Sequence, residues 1–244
     1  VRYDVGKDLR SLAPRQVEQL PGSGEESMFG DVDDDGRVEY IAVSGFREEQ
    51  AAVHVYKIAP GGELVCPPWV VLNEIDGKRC FYASVAVGDL DNDGRTELVV
   101  GWKRLKRKRW GTTLAAYRIG PEVTRVATLA RNDASLDSGF FEKMMCIGDA
   151  DNDGKNELVV STRGGSDTGQ EAEAGIGCVY LYRVERSGAV SRTTLADFVP
   201  ELAESSWIAV GDADGDGRNE VVVATGKGDR RLPGTSYLVE LEAE

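Results

Sequence analysis

The chain has 244 residues, 41% hydrophobic and 29% charged, the composition of a folded protein and not of a disordered one. No apolar run approaches the ~18 residues that a membrane-spanning helix needs. The 29 basic and 42 acidic residues leave a net charge of −13, which argues against nucleic acid as a partner held by overall charge.

One histidine, His54, excludes two-histidine zinc sites and leaves any histidine-based catalysis dependent on that residue. The cysteines Cys66, Cys80, Cys146 and Cys178 lack CxxC spacing and read either as buried thiols or as up to two disulfides. No signal peptide is visible, and a start at Val1 leaves open a removed leader or further domains.

Val1 to Val5 reads as a short strand. After it, four segments align without gaps: Gly30 to Val43 (GDVDDDGRVEYIAV), Gly88 to Gly101 (GDLDNDGRTELVVG), Gly148 to Ser161 (GDADNDGKNELVVS) and Gly211 to Ala224 (GDADGDGRNEVVVA). Their first aspartates, Asp31, Asp89, Asp149 and Asp212, are 58, 60 and 63 residues apart. Four such units use up the chain, so a single domain over 1–244 is expected.

In each unit a short apolar stretch leads into the segment, as at Ser84 to Val87 and Trp207 to Val210, and a β-branched run leads out, as at Leu98 to Val100 and Val221 to Val223. A third stretch follows at Ala52 to Ile58, Thr113 to Ile119, Val179 to Val184 and Tyr237 to Leu241. A fourth follows at Leu64 to Leu72, Val123 to Leu129 and Val190 to Leu195. Runs this short, rich in Val, Ile and Tyr, are strands. Four strands per repeat predict an all-β protein, a β-propeller of four-stranded antiparallel blades. The last unit lacks a fourth strand. Val1 to Val5 pairing with Tyr237 to Leu241 would supply it, which favours a closed four-bladed ring. The alternatives are part of a seven- or eight-bladed ring, or a ring completed by a second chain.

Each repeat carries the pattern D-x-D-x-D-G-x-x-E. Calcium takes six to eight oxygen ligands, and alternating aspartates in a tight loop point their oxygens inward. The loop at 31–39 offers Asp31, Asp33 and Asp35, a turn at Gly36, the backbone carbonyl of Arg37, and Glu39 to close the site. The same roles fall on Asp89, Asp91, Asp93, Arg95 and Glu97 in 89–97, and on Asp149, Asp151, Asp153, Lys155 and Glu157 in 149–157. In 212–220 they fall on Asp212, Asp214, Asp216, Arg218 and Glu220. An EF-hand would close on a glutamate at the twelfth position, where this chain has Ala42, Val100, Val160 and Val223. Carboxylates crowded into one turn repel one another without a cation, so up to four structural Ca2+ are expected.

At these residues the chain resembles the FG-GAP/VCBS family of integrin-α-like β-propeller repeats. The resemblance spans all four units. It implies a calcium loop joining the first two strands of each blade, and an extracellular or periplasmic setting. Phe29-Gly30 is the only Phe-Gly pair at its position, no Gly-Ala-Pro occurs, and four units are fewer than the seven or eight common in that family. Its members include integrin heads, fungal lectins and polysaccharide-lyase propellers, so the resemblance implies a scaffold rather than one activity.

Alternating strands would put the acidic loops and the three-to-four turns on one face, with the loops of varying length on the other. There, Trp102 to Trp110 sets six basic residues between two tryptophans. Trp102, Arg107, Lys108 and Trp110 are the candidate residues for an anionic ligand. The same run also reads as a solvated hairpin whose tryptophans pack on the blade. Tyr82, Phe140, Phe141 and Trp207 are candidates for a central mouth or for packing, and His54 reads as an ordinary strand position. The expected function is a non-catalytic, calcium-stabilised binding module for a protein or carbohydrate partner. The alternative is a polysaccharide lyase or hydrolase acting on anionic sugars, and the lone His54 stands against it.

Overall fold

The computed structural model describes residues 2–5, 12–16, 26–45, 50–106, 109–136, 145–162, 178–197, 205–226 and 235–241. The chain opens with a hairpin of β1 (Arg2–Val5) and β2 (Leu12–Gln16). The first blade follows as β3 (Ser27–Gly30), β4 (Glu39–Ser44), β5 (Ala52–Tyr56) and β6 (Val70–Leu72). A small hairpin, β7 (Glu74–Ile75) and β8 (Lys78–Arg79), leads to the second blade. That blade is β9 (Tyr82–Gly88), β10 (Glu97–Lys106), β11 (Arg109–Arg118) and β12 (Thr124–Asp133). The third is β13 (Met145–Gly148), β14 (Glu157–Ser161), β15 (Cys178–Val184) and β16 (Val190–Asp197). The last is β17 (Ser205–Gly211), β18 (Glu220–Gly226) and β19 (Thr235–Glu240). Each is an antiparallel sheet in chain order, compatible with a propeller blade.

The uninterrupted apolar runs of the second strands follow from burial on both faces. On β10, Leu98, Val100 and Trp102 face a core shared with Ile41 and Val43 of the first blade, while Val99 joins a core with Leu158 and Val160 of the third. On β14, Val159 turns the other way and packs with Ile208 and Val221 of the fourth. Period-two alternation thus supplies two apolar faces per strand, one for each neighbouring blade.

Close approach of the first strands uses a glycine at the end of each. A Cβ on Gly30 would lie 2.6 Å from Val87 Cγ1, one on Gly88 would lie 2.8 Å from Ile147 Cγ2, and one on Gly148 would lie 3.0 Å from Val210 Cγ1. Each glycine therefore receives the residue preceding the glycine of the next blade. The series stops at Gly211, whose added Cβ would meet nothing within 4 Å. At the other end Phe29, the first blade's counterpart of Val87, is 65% exposed. Phe29 does not fill the space at Gly211.

The expected pairing of Val1 to Val5 with Tyr237 to Leu241 is not formed among the described residues. β1 pairs with β2, and β19 pairs with β18 in a three-stranded sheet. The reason is legible in the residues. Tyr3-Asp4-Val5 matches the third-strand endings Tyr56-Lys57-Ile58, Tyr117-Arg118-Ile119 and Tyr182-Arg183-Val184, and a third strand pairs next with its own fourth. β2 fills that role.

Candidate metal centre

Each acidic loop joins the first and second strands of a blade and is wound by its own carboxylates. Asp31 accepts the backbone N–H of Asp35 at 3.1 Å and of Gly36 at 2.8 Å, and Asp35 accepts that of Arg37 at 2.9 Å. The bonds recur as Asp89 accepts the N–H of Asp93 and of Gly94, Asp149 that of Gly154, and Asp212 that of Gly217. The sixth loop position has φ near +90°, at +83° in Gly36 and +92° in Gly217, which only glycine adopts without strain. The closing glutamate is buried at the start of the second strand in all four blades. Its Oε2 accepts the backbone N–H of the second loop residue, from Val32, Leu90 and Ala150 at 3.0 Å and from Ala213 at 2.7 Å.

These bonds bring four triads together: Asp31, Asp33 and Glu39; Asp89, Asp91 and Glu97; Asp149, Asp151 and Glu157; Asp212, Asp214 and Glu220. In each, one oxygen per residue lies within 4.8 Å of the others. Asp35, Asp93, Asp153 and Asp216 each use Oδ1 to accept the backbone N–H of the seventh loop residue. The donor set is oxygen throughout, which suits a hard divalent cation. Asp33 Oδ1, Asp149 Oδ1 and Glu220 Oε1 are buried oxygens with no hydrogen-bond partner, the condition that a bound cation relieves. Burial pushes the Glu157 carboxyl up to about 7, with Asp151 and Asp153 adding to the rise. Burial likewise raises Glu39 and Glu97.

Two sets of residues at these loops escaped the sequence reading. The first is a basic side chain at the end of the third strand. Lys57 Nζ lies 2.6 Å from Asp33 Oδ2 and 3.0 Å from both Asp35 Oδ2 and Glu39 Oε1, and sits 4.6 Å from the centroid of the Trp69 ring. Arg118 reaches Asp93 at 2.6 Å, Glu97 at 2.9 Å and Asp91 at 3.0 Å. Arg183 pairs with Asp151 and lies 4.0 Å from Glu157. The second is a clasp between successive loops. Thr96 N–H donates to Asp34 Oδ1 at 3.0 Å, Asn156 N–H to Asn92 Oδ1 at 2.7 Å, and Asn219 N–H to Asn152 Oδ1 at 2.6 Å. Asn at the fourth and eighth positions, offset by one repeat, was the available signal.

A family model for the FG-GAP-like repeat matches residues 31–100 and 149–223. The chain belongs to the FG-GAP-like repeat family. No curated protein matches it significantly. The matched segments of this FG-GAP-like chain contain all four acidic triads.

Away from the loops, the sequence-predicted ligand residues separate. Trp102 is 0% exposed in the core between the first two blades, so it has no face for a surface ligand, and this corrects its assignment. Its indole is apolar enough to complete that inter-blade face. The basic run is a hairpin extension of β10 and β11, with Leu105 opposite Trp110 and Lys106 opposite Arg109. Arg107 and Lys108 lie outside the described residues, as do Phe140 and Phe141. Trp207 is 58% exposed on β17, and Tyr82 on β9 is half-buried. His54 sits on β5, its Nε2 2.8 Å from Ser44 Oγ, while its buried Nδ1 has no partner. A Ser-His pair lacking a carboxylate on Nδ1 does not make a catalytic triad. All four cysteines are free thiols.

Proposed function

We propose that the protein is a calcium-stabilised binding module, with up to four structural Ca2+ pinning the first hairpin of each blade. It engages a protein or carbohydrate partner and is not itself an enzyme. The observation that carries this reading is the fourfold triad of two aspartates and a buried glutamate, their oxygens within 4.8 Å of one another. Calcium in such a loop takes the carboxylate oxygens that lack protein partners and offsets their mutual repulsion. The loops that vary in length then serve as the recognition surface on a rigid scaffold. Arg107, Lys108 and Trp110, in an otherwise acidic chain, are the residues put forward for an anionic partner.

Calorimetric melting with and without chelator tests the first part. An ion bound only by the folded state adds about 2.7 kcal/mol per site at 100-fold over its Kd. Chelation should therefore lower Tm, and an unchanged Tm in protein proven calcium-free by elemental analysis overturns the reading. Binding to heparin or polygalacturonate tests the second part. It should weaken with salt and be lost on exchanging Arg107→Glu and Lys108→Glu, with a neutral glycan as control.

A further inference from the structure

We infer that the four loops take metal unequally. The first three hold a lysine or arginine of their own blade among the carboxylates, and the fourth, which has no such cation among the described residues, binds first and most tightly. This rests on the reading of the loops as metal sites and adds a ranking among them.

The position is set by strand register. Tyr56 lies opposite Tyr40, Tyr117 opposite Leu98, and Tyr182 opposite Leu158. The next residue of each third strand, Lys57, Arg118 or Arg183, therefore falls opposite the closing glutamate of its own blade. Residues facing one another across an antiparallel pair interact directly. In the fourth blade Val239 lies opposite Val221, and the residue opposite Glu220 is Glu240. At the register position where three blades have a lysine or arginine, the fourth has Glu240. The loop's own Arg218 donates to the Leu241 carbonyl at 3.4 Å.

The consequence is visible on the closing glutamates. Glu39 Oε1 is 3.0 Å from Lys57, Glu97 Oε1 is 2.9 Å from Arg118, and Glu157 Oε1 is 4.0 Å from Arg183. Glu220 is 0% exposed, its Oε2 is held by the Ala213 N–H, and its Oε1 has no partner. A buried carboxylate oxygen left unpaired is costly. In the first three loops an internal ammonium or guanidinium already faces the closing glutamate, although Asp33 Oδ1 and Asp149 Oδ1 stay unpartnered, and an entering divalent ion must share the carboxylates with that cation or displace it. In the fourth, Glu220 Oε1 is left for an external ion, and among the described residues no lysine or arginine pairs with the triad to repel that ion.

Calcium titration of the full chain by isothermal calorimetry tests the ranking, with terbium luminescence as a second readout. One site should be tighter than the other three by at least about tenfold. Glu240→Lys should bring that site down to the level of the others, while Lys57→Gln should strengthen one weak site and leave the tight one unchanged. Should Glu240→Lys fail to fold, the Lys57→Gln result still decides. Four equal sites, or weak sites unmoved by Lys57→Gln, would overturn the inference while leaving the loops as metal sites. No calcium binding in any loop would overturn the metal reading itself.

Discussion

Asn92 clasps Asn156 across two blades with both ends of its side-chain amide. Its Oδ1 accepts the Asn156 backbone N–H at 2.7 Å and its Nδ2 donates to the Asn156 carbonyl at 3.2 Å, while Asn156 Nδ2 reaches back to the Asp89 carbonyl at 2.9 Å. Asn152 and Asn219 repeat the arrangement one blade on. The second, third and fourth acidic loops are therefore joined laterally by neutral amides, the first to the second by the Asp34 carboxylate, and all are wound internally by carboxylates.

Removing this clasp should cost stability without touching a metal-ligand candidate. Asn92 has φ of +58°, so Asn92→Gly isolates the lost hydrogen bonds from backbone strain. Two hydrogen bonds at about 1 kcal/mol each predict a loss of about 1–2 kcal/mol. Asp34→Asn should do the opposite, because an amide supplies the donor that a carboxylate lacks. Urea denaturation of the two variants at fixed calcium checks both signs.

The glycines ending the first strands predict an asymmetry along the chain. Gly88→Ala places a Cβ 2.8 Å from Ile147 Cγ2 and should destabilise by about 1–3 kcal/mol, as overpacking does. Gly211→Ala meets nothing within 4 Å and should stay within about 0.5 kcal/mol of the parent. Equal losses at the two sites would mean that the first and last blades pack together in solution.

The thiols should divide by burial. Cys66 is exposed, Cys80 is buried, and burial pushes the Cys146 thiol up to about 12. Only the thiolate is nucleophilic, so Cys146 is protonated and inert at pH 8. Iodoacetamide followed by peptide mass mapping should label Cys66 in the native protein, and Cys80 and Cys146 only after unfolding.

Burial also lowers the His54 pKa below the usual histidine value. The unfolded chain then binds a proton at His54 more readily than the folded one does. Its contribution to stability is complete above the ordinary value of about 6.5 and is lost as pH falls through the lower folded value. Melting from pH 7.5 to 5 should decline less steeply in His54→Gln than in the parent. Identical slopes would remove His54 as a contributor.

The four acidic loops and the strand content of the blades were legible in the sequence because each is local. D-x-D-x-D-G-x-x-E determines a turn within nine residues, and two-sided burial writes itself as unbroken runs such as Leu98 to Val100. The family followed from the same residues. What joins one unit to another was decided only in three dimensions, because it depends on residues about 60 positions apart meeting across an interface. Asn92 finds Asn156, Val87 fills the space at Gly30, and Trp102 turns inward to a neighbouring blade, where its composition with Lys and Arg had suggested a surface. The cations over the acidic loops, and Glu240 in their place, likewise emerge from strand register, since side chains opposite one another in a sheet share no sequence proximity.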